Sequence, residues 1–202
     1  MKLYRLFCVA ALALCANAAR ADRLIWIPTA AAGRLQIEYM TRVGGSQGVL
    51  TGQVSLGKQF ELLARHYRNF ENEDRTEVGG EFVVLPEGIV TPGVAVGVWD
   101  VADDGPRGRR FFGVVTKSVP VINKLPLGIH DIKVHAGIGS NSLSGIFLGG
   151  QIGFPFGFRL YAEYDARNVN AGLSWSPLSP LRLKVESWDG DVFVGAQLIS
   201  PL

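Results

Sequence analysis

The feature that most constrains this chain is alternation with a period of two. Residues 158–165 set Phe158, Leu160, Ala162 and Tyr164 between Arg159, Tyr161, Glu163 and Asp165, and residues 181–187 set Leu181, Leu183 and Val185 between Arg182, Lys184 and Glu186. Successive side chains of a strand leave on opposite faces, so each segment has one apolar and one charged face. A helix with this spacing would carry charge all round and bury nothing.

The same template fits most of the chain. Arg34 to Val43 puts Leu35, Ile37 and Tyr39 opposite Gln36, Glu38, Met40 and Arg42. Leu50, Val54 and Leu56 then stand against Thr51, Gln53 and Ser55, and a strand near Phe60 to Phe70 has a second face of Glu61, Arg65 and Tyr67. Val78, Phe82 and Val84 oppose Glu77 and Glu81, and Ile132, Val134 and Ala136 oppose Asp131, Lys133 and His135. The count comes to about twelve strands, at about 14 residues per strand and turn, which leaves strands of about ten residues. A tilted strand needs about that length to cross a bilayer.

The turns carry an independent signal. "GGSQG", "ENEDR", "VADDGPRGR", "GSNS", "DARN" and "WDGD" are polar, and between them fall "GKQ", "LPEG", "VINKLPLG", "GFPFG" and "SPLSP", rich in proline and apolar residues. In an up-and-down meander, odd turns lie at one end and even turns at the other, so two chemistries in strict alternation predict two ends in different surroundings. In an outer-membrane barrel the polar set is extracellular, and the proline set and both termini are periplasmic.

The N-terminus agrees with export. Lys2 and Arg5 precede an apolar run from Leu6 to Ala16 and the sequence Ala19-Arg20-Ala21, the pattern of a secretory signal peptide over 1–21 with cleavage after Ala21. Both cysteines, Cys8 and Cys15, fall in that segment, so the exported chain is expected to use no disulfide or thiolate metal site. Removing Lys2, Arg5 and Arg20 leaves 17 basic residues against 18 acidic ones, without the basic excess that nucleic-acid binding needs. No later run is apolar for the length of a spanning helix. Residues 22–33 are read as a lead-in, whose uncharged half Leu24 to Pro28 is expected to tuck against or into the periplasmic mouth as a short extended segment, a plug rather than a spanning element, and 34–202 as the barrel domain.

An apolar face can point to a soluble core, as in a periplasmic lipocalin-like binding barrel, or to lipid. In lipid, turning one basic side chain to the bilayer midplane costs about 2–4 kcal/mol, which forces the charged face inward. That lumen face would hold Glu38, Arg42, Glu61, Arg65, Glu77, Glu81, Asp131, Lys133, Arg159, Glu163, Asp165, Arg182, Lys184 and Glu186, six basic and eight acidic. Near-cancellation predicts crossed salt bridges filling the lumen, and the candidates of greatest interest are Glu38, Arg65, Glu81, Lys133, His135, Arg159, Glu163, Arg182, Lys184 and Glu186.

Several stretches resemble the YjbH-type proteins, bacterial outer-membrane barrels associated with exopolysaccharide production. They are "IWIPTA" followed by a glycine and "RLQIEY", "FVVLPEGIVTPGVAVGVWD", "INKLPLGIHDIKVHAGIG" and "FLGGQIGFPFGFRLYAEYDARNVNAGLSW". Members of that family are usually several times longer, so this chain would correspond to one barrel-like unit. The resemblance implies an outer-membrane, transmembrane β-barrel, structural or transport-associated, with outer-membrane lipid and polysaccharide or exopolysaccharide-system proteins as partners.

Catalysis by a serine and histidine, as in an outer-membrane lipid hydrolase, finds little support. The histidines are His66, His130 and His135; Ser140 and Ser142 lie in the following turn, and neither of the latter two histidines has a serine two residues on. The aspartates Asp100, Asp103, Asp104, Asp189 and Asp191 lack calcium-loop spacing and read as turn formers. No cofactor or metal is expected. Gly79-Gly80 and Gly149-Gly150 sit inside strands, as sites of bending or tight packing.

Overall fold

A computed structural model describes residues 24–25, 28–30, 34–57, 59–119 and 126–201. The signal-peptide reading falls outside the described residues. Twelve strands form one closed antiparallel barrel: β1 (Arg34–Arg42), β2 (Gly48–Leu56), β3 (Phe60–Phe70), β4 (Glu73–Leu85), β5 (Gly93–Trp99), β6 (Arg110–Val119), β7 (Asp131–Gly139), β8 (Gly145–Gly153), β9 (Phe158–Tyr164), β10 (Val169–Leu178), β11 (Leu181–Trp188) and β12 (Asp191–Pro201). Each strand pairs with its sequence neighbours, and β1 closes on β12 with Gln36 opposite Ile199 and Met40 opposite Gly195. Closure leaves no unpaired edge. This is the up-and-down barrel that the alternation predicts, and the polar turns lie at one end with the proline-rich turns at the other.

The two faces divide as the period requires. Ile37 is 50% exposed and Leu160 47%, with Leu50, Val134, Val185 and Leu198 likewise outward, whereas Gln36, Gln53, Glu77, Glu163 and Gln197 are buried within the wall. An apolar outer face is the arrangement of a transmembrane barrel and the inverse of a lipocalin.

Inside, the lumen differs from one filled by ion pairs throughout. Its half beside the polar turns is a cluster of buried apolar groups that includes Met40, Tyr67, Trp99, Phe112, Phe147, Trp188 and Phe193. The rings of Trp188 and Phe193 stack at 4.0 Å between centroids, and Trp99 meets Phe112 edge-on at 5.2 Å. Inward glycines make room for these rings. A Cβ on Gly137 would lie 2.2 Å from the Phe147 ring, one on Gly97 2.5 Å from Phe112, and one on Gly172 2.5 Å from Tyr161. In all three the ring comes from the residue directly opposite on the neighbouring strand. The pairing explains why strands otherwise rich in β-branched residues carry glycines on their inward face. Gly79 is packed in the same way, against Trp99.

Among the described lead-in residues, Leu24, Ile25, Thr29 and Ala30 are all buried. The carbonyl of Ile25 accepts a hydrogen bond of 3.0 Å from Arg65 of β3, and the Ala30 amide donates to Thr116 Oγ1 of β6 at 2.9 Å. Both wall residues face the lumen, Arg65 near the middle of its strand and Thr116 toward the proline-turn end. The described lead-in residues therefore lie inside the barrel, deepest at Leu24 and Ile25.

Candidate functional site: the lumen and its outer mouth

Strand phase decides which charges enter the lumen, and barrel closure decides which of them meet. The largest network surrounds Lys184 on β11, whose ammonium lies 2.7 Å from Glu38 on β1 and 2.5 Å from Glu186. Gln197 donates to the same Glu38 oxygen at 2.9 Å, and Arg182 donates to Gln197 at 3.2 Å. Glu186 accepts further bonds from the Tyr161 hydroxyl and, at 2.6 Å, from the Trp188 indole. Four of the candidates, Glu38, Arg182, Lys184 and Glu186, thus form one connected group with Tyr161 and Trp188. A buried carboxylate needs such donors, because desolvation without them costs several kcal/mol.

A second network holds the opposite wall. Arg110 meets Glu77 at 2.5 Å, and the Tyr67 hydroxyl donates to the same Glu77 oxygen at 3.0 Å. The guanidiniums of Arg65 and Arg110 both lie 5.3 Å from the Trp99 ring centroid. Stacking on an indole suits a guanidinium in a dry site, since it is weakly hydrated and planar. Arg65 thereby links this network to the lead-in segment through Ile25.

The remaining candidates make further contacts in the wall. Arg159 pairs with Asp131 at 3.1 Å near the proline-turn rim. His135 Nδ1 is 2.9 Å from Thr116 Oγ1, so the hydroxyl beside it belongs to a threonine and not to Ser140 or Ser142. Lys133 is buried directly opposite Gln151, and Glu81 is buried directly opposite Glu61. Glu163 accepts from Asn170 at 3.1 Å. His66 lies on the outer face with Thr76, and no group of three or more metal-ligating side chains occurs among the described residues.

Sequence reasoning missed Arg110, Trp99, Trp188 and Arg107, and it placed Tyr161 on the charged face without making it a candidate. For Arg110 the doublets of "RRFF" hide the strand phase, which only the pairing of Trp99 with Arg110 fixes. Arg107 lies in a loop, where no periodicity applies.

Arg107 belongs to the loop between β5 and β6, residues 100–109, which folds inward over the mouth. Gly105 is buried there, and a Cβ on it would lie 3.3 Å from the Cβ of lumen-facing Glu77. The base of the loop is held by Asp100, which accepts from the amides of Asp104 and Gly105 at 3.0 and 2.8 Å. Arg107 donates to Asp165, just after β9, at 2.6 Å, and to both oxygens of Asp189, just after β11, at 2.7 and 3.0 Å. Burial disfavours both charges, yet their bonds prevail. Those to Asp165 and Asp189 hold the Arg107 guanidinium above its ordinary range, and the Asn168 amide together with Arg107 holds the Asp165 carboxyl below the usual carboxylate range.

No family model and no curated protein matches the sequence. Among solved structures, two of the KdgM porin are similar, one of them in complex with disordered oligogalacturonate. Each shares 14% identity over 82% of this chain and 98% of that chain, with TM-scores of 0.53 for the complex and 0.54 for the porin alone. The NanC porin is similar over 83% of this chain and 99% of its own, at 11% identity and a TM-score of 0.44. At this identity the KdgM likeness establishes a shared porin-like barrel fold.

Proposed function

We propose that this protein is an outer-membrane barrel of a diderm bacterium that serves transport across the envelope and rests with its lumen closed. The observation that carries the reading is the lead-in segment: Ile25 and Ala30 hydrogen-bond to wall residues Arg65 and Thr116 inside a barrel whose outer face is apolar. The apolar belt fits lipid, and the lead-in and the aromatic cluster occupy the two halves of the interior. Oligosaccharide is the first solute class to test, by likeness to a porin whose structure carries oligogalacturonate. A link to exopolysaccharide production or export rests on the sequence resemblance alone.

Membrane fractionation with heat-modifiable gel migration tests the location, and recovery from the soluble periplasm would sink the proposal. Planar-bilayer recording tests the closed state. The chain from Asp22 onward is expected to be nearly silent, and a variant lacking residues 22–30 to conduct. Equal, open conductance from both would show that the lead-in is no plug.

A further inference from the structure

The loop at the outer mouth carries an arrangement that the closed-barrel reading does not require. In a ring of twelve strands, the β5–β6 loop and the β11–β12 turn are six strands apart, on opposite sides of the opening. With strands about 4.8 Å apart and tilted about 40°, a roughly circular mouth spans about 24 Å between backbones. Arg107 and its two aspartates bridge that opening, joining positions 58 and 82 residues apart in sequence.

An ordinary surface ion pair is exposed and single. This contact is double, and its Asp165 half is buried while Asp189 is 43% exposed. The Arg107 side chain is 10% exposed and that of Asp165 0%. The guanidinium engages two carboxylates from two separate turns, in the planar fork geometry that favours arginine over lysine. The receiving groups are also set in advance: Asp165 accepts from the Asn168 and Arg167 amides at 2.8 and 3.1 Å, and Asn168 donates its side-chain amide to Asp189 at 2.8 Å. Gly105 lies against Glu77 beneath this bridge.

We propose that the β5–β6 loop is a latched lid on the outer mouth, with Arg107 as the latch and Asp165 and Asp189 as the catch, so that opening this end requires both ion pairs to break. The inference deepens the transport reading and rests on it. It adds a second closure at the end opposite the lead-in.

Proteolysis of the folded, full mature chain in lipid vesicles reads the latch directly. Trypsin reaching the loop side is expected to cut after Arg109 slowly in the native protein and at least about tenfold faster in Arg107→Gln, because a pinned loop is protected until it opens locally. Asp189→Asn, which leaves the Asp165 contact, is expected to give an intermediate rate. Heat-modifiable migration shows which variants are folded, and Asp189→Asn decides the matter if Arg107→Gln fails to insert. Equal cleavage rates in native protein and folded variants would overturn the latch. Cleavage reports on the loop whether or not the barrel conducts, so failure of the latch is distinguishable from failure of the transport reading.

Discussion

Replacing Lys184 with methionine isolates the energetics of the largest lumen network. The lysine side chain is 6% exposed and lies 2.7 Å from Glu38 and 2.5 Å from Glu186. At an effective dielectric of about 20, each contact is an attraction of about 6 kcal/mol, most of it consumed by desolvating three charges. Methionine keeps the volume and removes the charge, leaving two carboxylates buried in one network with no cation between them. Tyr161, Trp188 and Gln197 continue to donate, but neutral donors offset only part of that charge. The expected loss is about 3–5 kcal/mol of unfolding free energy. Urea titration of the barrel in lipid vesicles, followed by tryptophan fluorescence, measures it. The triple variant Glu38→Gln/Lys184→Met/Glu186→Gln is expected to recover about half, since no carboxylate of the network is then left without its cation, while Arg182 keeps its bond to Gln197. A loss below about 1 kcal/mol for Lys184→Met would refute the argument, because it would mean that water already solvates the site.

Two further outcomes follow from the geometry. Gly137→Ala places a methyl 2.2 Å from the Phe147 ring and 2.4 Å from the backbone oxygen of Gly113, which cannot swing aside, so the same titration is expected to show a loss of about 1–3 kcal/mol. The Asp165 carboxyl is depressed below its unfolded value, so its stabilisation is fully present above the unfolded pKa near 3.8 and is lost as pH falls through the lower folded value; cleavage of the β5–β6 loop by an acid-active protease is expected to accelerate over that acidic window and to lose this dependence in Asp165→Asn.

The closed antiparallel barrel was legible because its signals are local. Strand side chains alternate with a period of two whatever surrounds them, so Leu35, Ile37 and Tyr39 could be separated from Gln36 and Glu38 without knowing any partner strand. Turn chemistry is likewise written in consecutive residues, and its alternation between "GGSQG"-like and "LPEG"-like segments gave the meander. Phase alone therefore put Glu38, Arg65, Lys133 and Arg182 on one face.

Contact is a different quantity from phase. Glu38 and Lys184 are 146 residues apart and meet only because β12 closes on β1. Trp99, Phe112 and Phe147 fill the half of the lumen beside the polar turns because glycines on neighbouring strands leave them room, a pairing set by register across the sheet. Arg107 finds Asp165 and Asp189 across the mouth because closure brings three distant loops to one rim. The sequence by itself determined the faces, the approximate strand count and the two ends, since each follows from bonded neighbours. Only the tertiary structure decided what fills the barrel and what spans its mouth, since those depend on distances that no local period encodes.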